Sequence, residues 1–191
     1  MLRKLGCKIQ AAYACLRRFA QDQRGVSAVE FALLLPVMVI IYAGIADVAR
    51  GVDASRKVNR IASVVGDLVS RQIKVIPAQL DDIFLIGATI MAPSLKAPEI
   101  KISFLKVEQV RGNFVVTLDW SRKTRGFDDR KGKGPTELPE NLRKEVMNYI
   151  RVETQYTYVP LNSYVLPPIE MAETYYVSPR YTNTIPCEAC R

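Results

Sequence analysis

Two places in this 191-residue sequence hold side chains whose type and spacing could do chemistry: Glu30, and the pair in Cys187-Glu188-Ala189-Cys190. Glu30 is the one charged residue between Val26 and Ala46. An ionised group inside a membrane costs about 2.5–3.5 kcal/mol on insertion scales and is usually functional. The carboxylate could pair with a cation, or lie at headgroup depth and snorkel outward. The two cysteines could form a local disulfide, supply half of a metal site, or act as a redox couple. A metal site would need two more ligands, and the sequence contains no histidine. A redox pair normally opens a helix in a thioredoxin-like domain, and no such pattern surrounds Cys187. The lack of histidine also removes the commonest general base. No Gly-rich phosphate loop, nucleophile elbow or zinc-finger spacing is present. The reading is therefore of a protein that is no enzyme, with no catalytic residues, no cofactor and no metal.

The element that must position Glu30 is the apolar run Val26–Ala46, 21 residues long. About 20 helical residues at ~1.5 Å each cross a ~30 Å hydrocarbon core. A secretory h-region is shorter and ends in small residues, whereas the small residue here, Gly25, comes before the run. Pro36 sits inside the span and is expected to kink it, since proline cannot donate to the preceding turn. Beyond Ala46, apolar residues from Val48 to Val69 recur at three- and four-residue steps, with charges on the other side. This predicts one helix from Val26 to about Gln72, roughly 70 Å long. The periodicity fits a filament-type helix lying on a sheet, and equally a juxtamembrane helix docked on a globular domain.

A second helix is expected from Pro77 to Met91, with Pro77 allowed in its first turn and Pro93 limiting its end. Strand period then takes over: Ile100, Ile102 and Phe104 alternate with polar residues, and extended structure runs on to Val110. Arg111-Gly112-Asn113 reads as a tight turn into Phe114–Trp120, making a hairpin. Residues 121–137 are rich in charge and glycine, and read as a solvated loop or as a basic contact surface for an acidic partner. A short helix over Pro139–Met147 is followed by a strand from Tyr149 to Val159, with Val152, Tyr156 and Tyr158 on one face. A last strand runs from Ile169 to Val177. The late tyrosines Tyr156, Tyr158, Tyr164, Tyr175, Tyr176 and Tyr181 are expected to cover the sheet.

The formal charge of +8 does not mark a nucleic-acid binder. Residues 1–25 hold six Lys/Arg and one Asp, leaving 21 basic and 18 acidic residues in the rest. A basic leader suits an anionic membrane surface, and no basic stripe interleaved with aromatics appears. Arg50, Arg56, Lys57, Arg60 and Arg71 follow the span, so the positive-inside bias leaves orientation open.

Gly25 followed five residues later by Glu30-Phe31, and then by a long apolar segment, resembles the processing site of type IV prepilins and pseudopilins. The fuller wording from Arg24 to Pro36 resembles the TadE-like (TadE/TadG family) pseudopilins of the tight-adherence, or Tad/Flp, pilus system. The resemblance implies a pilin-like α+β fold, with a long N-terminal helix packed on a small antiparallel sheet. It implies a basic cytoplasmic leader, 1–25, cut by a prepilin peptidase between Gly25 and Val26. The helix would be transmembrane over 26–47 and amphipathic over 48–76, and an extracytoplasmic domain would cover 77–191. Glu30 and Phe31 would serve assembly, the carboxylate pairing with the freed amine of a neighbouring subunit. Orientation follows too: leader in the cytoplasm, bulk in the periplasm, a single pass through the inner membrane. In that compartment Cys187 and Cys190 are expected to form a structural disulfide. The implied function is a minor pseudopilin that starts or tips the filament. Its partners would be the peptidase, other minor pseudopilins, the Flp major pilin and the assembly platform. The alternative from another class is a signal-anchored periplasmic binding or scaffold protein that is never cut.

Overall fold

The computed structural model describes residues 25–93, 96–143, 146–161 and 167–190. Residues 1–24 of the leader and Tyr164 lie outside the described residues. The chain contains helix α1 (Val26–Ser70), helix α2 (Pro77–Met91), and strands β1 (Glu99–Val110), β2 (Asn113–Lys123), β3 (Tyr149–Tyr158) and β4 (Ile169–Val177). All strand pairs are antiparallel, in the order β2-β1-β3-β4. The expected α+β fold, a long N-terminal helix followed by a small antiparallel sheet, is the fold observed. Packing divides the chain after Val48 into two units.

In the first unit, α1 begins at Val26 and continues through Pro36 without leaving helical geometry. Its large apolar side chains are exposed, Phe31 by 62% and Tyr42 by 76%. It is the one helix among the described residues long and apolar enough to cross a membrane.

In the second unit, the remainder of α1 buries Ala54, Val58, Ile61, Ala62, Val65 and Val69. Their three- and four-residue spacing places them on one stripe, as an amphipathic helix requires. The stripe, the inner side of α2 (Leu80, Ile83, Phe84, Met91) and the even-numbered residues of β1 and β3 form the main core. Helix and sheet come close at Gly87: a Cβ there would lie 2.5 Å from Ile100 Cδ1 and 3.2 Å from Ile61 Cγ2. Helix α2 spans the predicted residues, with Pro77 at its start and the Gln79 side chain accepting from the Ile76 N–H at 3.2 Å. The β1–β2 turn has positive φ at both Arg111 (53°) and Gly112 (87°). That backbone twist matches a two-residue hairpin, and glycine adopts it without steric cost.

The segment after β4 runs back across the fold. The Arg180 N–H donates to the Ser70 carbonyl at 2.9 Å, satisfying one of the open acceptors at the end of α1, and the Arg180 side chain pairs with Asp67. Further on, Trp120 Nε1 donates to the buried Ile185 carbonyl at 2.7 Å, and Val75 N–H to Pro186 O at 3.1 Å. Trp120 itself stacks on Phe104, ring centres 5.9 Å apart.

The short helix expected over Pro139–Met147 is not found among the described residues of that range. The described residues hold a single 3-10 turn, Glu140–Leu142, closed by the Leu142 and Arg143 N–H groups donating three residues back. Leu138 is buried in a second apolar cluster with Leu105, Val107 and Tyr149, and Leu142 packs against it. Anchoring both leucines draws this stretch onto the sheet and leaves one turn between them.

Candidate functional site

The residues singled out for assembly stand together at the start of α1. Gly25 is exposed, nothing would meet a Cβ built on it within 4 Å, and the helix starts at the next residue. Glu30 lies in the second turn of α1 and is exposed, as is Phe31. Positions 26 and 30 are four apart, so they occupy the same helix face about 6 Å along the axis from one another. Around them the surface is apolar on all sides, a surface that must be covered by lipid or by other apolar helices. A carboxylate in such a surface needs a cation or the membrane boundary within reach.

Cys187 and Cys190 are disulfide-bonded, with Cα atoms 5.6 Å apart. Cys187 bridges to Val75 in parallel sense, so the small loop is seated beside the start of α2. Among the described residues there is no cluster of three or more His, Cys, Asp or Glu side chains able to hold a metal.

The charged stretch 121–137 has a role that its composition does not reveal. Its first three residues are the end of β2, and from 124 onward it lies over the odd-numbered face of the sheet with most of its residues still exposed. Phe127 and Leu138 are buried under it. Arg151 and Glu153, two residues apart on β3 and thus on one face, are both buried and form an ion pair at 3.2 Å. From beneath, Arg151 Nη1 donates to the Gly134 and Glu137 carbonyls at 2.7 and 3.1 Å, and Glu153 accepts from the Lys133 N–H. A buried charge is costly unless paired and hydrogen-bonded. The covering segment supplies partners for Arg151 Nη1 and one Glu153 oxygen, while Arg151 Nε and Nη2 and the other Glu153 oxygen make no hydrogen bond and rely on the ion pair.

Most of the cations in this stretch are spent inside the molecule. Lys101 and Lys123 face one another across β1 and β2, and Asp129 bridges both. These bonds, Lys101 first and then Lys123, hold the Asp129 carboxyl below its ordinary value. Arg122 grips Asp81 of α2 with two hydrogen bonds, 3.0 and 2.6 Å, which lowers the Asp81 carboxyl in the same way. Lys131 pairs with Glu170, and Lys133 with Glu137 at 3.5 Å. A cleft of about 540 Å³ opens beside Lys101, Ser121, Lys123 and Lys133, but Asp129 already occupies its cationic side. Sequence reasoning missed Arg151 and Glu153. The available signal was the pair of apolar residues Phe127, inside the charged stretch, and Leu138, directly after it.

No curated protein and no solved structure matches the chain. The segment that contains Gly25, Glu30, Phe31 and Pro36 does match a family: residues 25–66 are recognised by the model of the TadE-like protein family.

Proposed function

We propose that this chain is a minor pseudopilin of a Tad pilus, cut after Gly25 by a prepilin peptidase and then built into the start or tip of the filament. The TadE-like match supports association with the Tad pilus, whose parts of this family are structural rather than catalytic. One observation carries the reading: the family match begins at Gly25, the residue immediately before α1, and runs through the exposed apolar helix that holds Glu30. Cleavage there frees an amine on Val26. Within an assembly of such helices, Glu30 pairs with that amine on a neighbouring subunit, which offsets the cost of enclosing a carboxylate in an apolar bundle. The anchor spans the inner membrane with the leader in the cytoplasm. The second unit works in the periplasm, against other minor pseudopilins, the Flp major pilin and the assembly platform.

The test is the intact mass of the membrane-extracted protein from cells with and without the peptidase. The expected outcome is a chain beginning at Val26 only where the peptidase is present. A full-length mass in both strains overturns the reading and leaves an uncut anchor. Glu30→Ala separates assembly from processing: the variant is still cut, and piliation falls at least tenfold. An uncut binding or scaffold protein would tolerate the same change.

A further inference from the structure

The sheet has two edges, and they are treated differently. On β4, Glu170 and Glu173 place charges along the strand, and Lys131 reaches across to Glu170. On β2, the run Asn113–Leu118 carries no charge, no proline and no irregularity in its pairing with β1; the one register shift follows it directly, at Asp119, which is left over between Leu118 opposite Leu105 and Trp120 opposite Phe104. Charges, prolines and bulges are the usual means by which an edge strand is kept from pairing with another chain. This stretch lacks all three. Its side chains are half in solvent, with Val115 exposed by 42% and Leu118 by 36%. In an antiparallel ladder about every second residue turns its N–H and C=O away from the existing neighbour, so β2 offers a row of backbone donors and acceptors along its outer side.

The sequence of this edge is complementary to itself. Laid antiparallel against a copy, with Val116 opposite Val116, it sets Val115 against Thr117 and Phe114 against Leu118. β-Branched and aromatic residues are favourable cross-strand partners. No charge meets a like charge, and the ladder stops short of Asp119, whose carboxylate Lys106 already holds at 2.7 Å. The arrangement is a closed two-fold contact, in which the same patch serves both partners. On the Phe114, Val116 and Leu118 side it also extends the second apolar cluster, to which Phe114 and Val116 already belong.

We propose that the β2 edge, Phe114–Leu118, is a homotypic docking surface on which a second copy of this chain adds its own β2, joining the two sheets. This stands independently of peptidase processing and of the role of Glu30. A ladder of five residue pairs is a small contact, so pairing depends on protein concentration.

The experiment uses the full chain in detergent micelles. Sedimentation over a hundredfold range of concentration is combined with residue-resolved hydrogen exchange at both ends of that range. The expected result is a monomer that becomes a dimer, with exchange slowed at least tenfold at alternate residues of Phe114–Leu118. Val116→Lys, which sets two ammonium groups face to face on the two-fold, stays monomeric throughout. If that variant does not fold, the exchange measurement on the unaltered chain still decides. A monomer at every concentration overturns the proposal, and so does a dimer whose slowed amides lie outside β2. Protection of β2 only when another pilus subunit is added also overturns it, and assigns the edge to that subunit.

Discussion

The two faces of the sheet are covered in opposite ways. The even-numbered side of β1 and β3 meets α1 and α2 through Ile100, Ile102, Phe104, Ile150 and Val152, all with no solvent exposure. The odd-numbered side meets an irregular, charged segment whose hold depends on Arg151 and Glu153 beneath it. One face is closed by area removed from water, which is non-directional and tolerant of small changes. The other is closed by a few directed bonds to buried charge, which fail together when one partner is lost. What looks from outside like a solvated basic loop is thus a layer of the fold.

That contrast can be broken most severely from the charged side. Arg151→Ala strands Glu153 in the interior, and a loss of about 3–5 kcal/mol is expected from chemical denaturation. Replacing both, as Arg151→Met with Glu153→Leu, should recover most of it, because matched apolar residues do not need pairing. If the single variant costs less than about 1 kcal/mol, the latch is not what holds the segment down. On the apolar side, Ile61→Ala leaves a cavity and should cost about 2–5 kcal/mol by the same assay. Gly87→Ala pushes a methyl group against Ile100 and Ile61 and should cost about 1–3 kcal/mol. A neutral result there would mean that the helix–sheet contact has room to open.

The smallest effects belong to the rim of the charged layer. Lys131→Ala removes an ion pair whose two side chains are about half exposed, and should change stability by no more than about 1 kcal/mol. Asp129 sharpens the comparison through pH. Its carboxyl is held below the ordinary 3.8, so the stability it contributes is fully present above that value. It is lost as pH falls through the lower, folded value. Asp129→Asn should therefore flatten the fall in melting temperature below about pH 4, as a pH series of thermal melts would reveal. An unchanged acid limb would show that other carboxylates govern it.

Periodicity made the apolar half of this molecule legible. The stripe from Val58 to Val69, the alternation of Ile100, Ile102 and Phe104, and the prolines flanking α2 each state their structure locally. The charged half was illegible for a physical reason. Arg151 and Glu153 alternate with Val152 in the pattern of a strand with one wet face, and nothing local tells a wet face from one roofed by residues 124–143. The turn Glu140–Leu142 was misread as a longer helix because its length is set by Leu138 and Leu142 seating in a distant cluster. As for the assembly segment, its residue types and their spacing are written in the sequence, whereas its occupants lie outside the chain.

The sequence contains a single tryptophan, and the fold has put it in an informative place. Trp120 lies on Phe104 in the main core and gives its indole N–H to the Ile185 carbonyl, a short way before the Cys187–Cys190 bridge. Its near-ultraviolet emission is consequently an optical gauge of whether the final stretch of chain is seated. Undocking residues 180–190 would wet the indole and shift its spectrum to the red while the sheet's far-ultraviolet signal stayed in place. Reduction of the bridge, or engagement of that stretch by another subunit, could thus be followed in real time without attaching a dye.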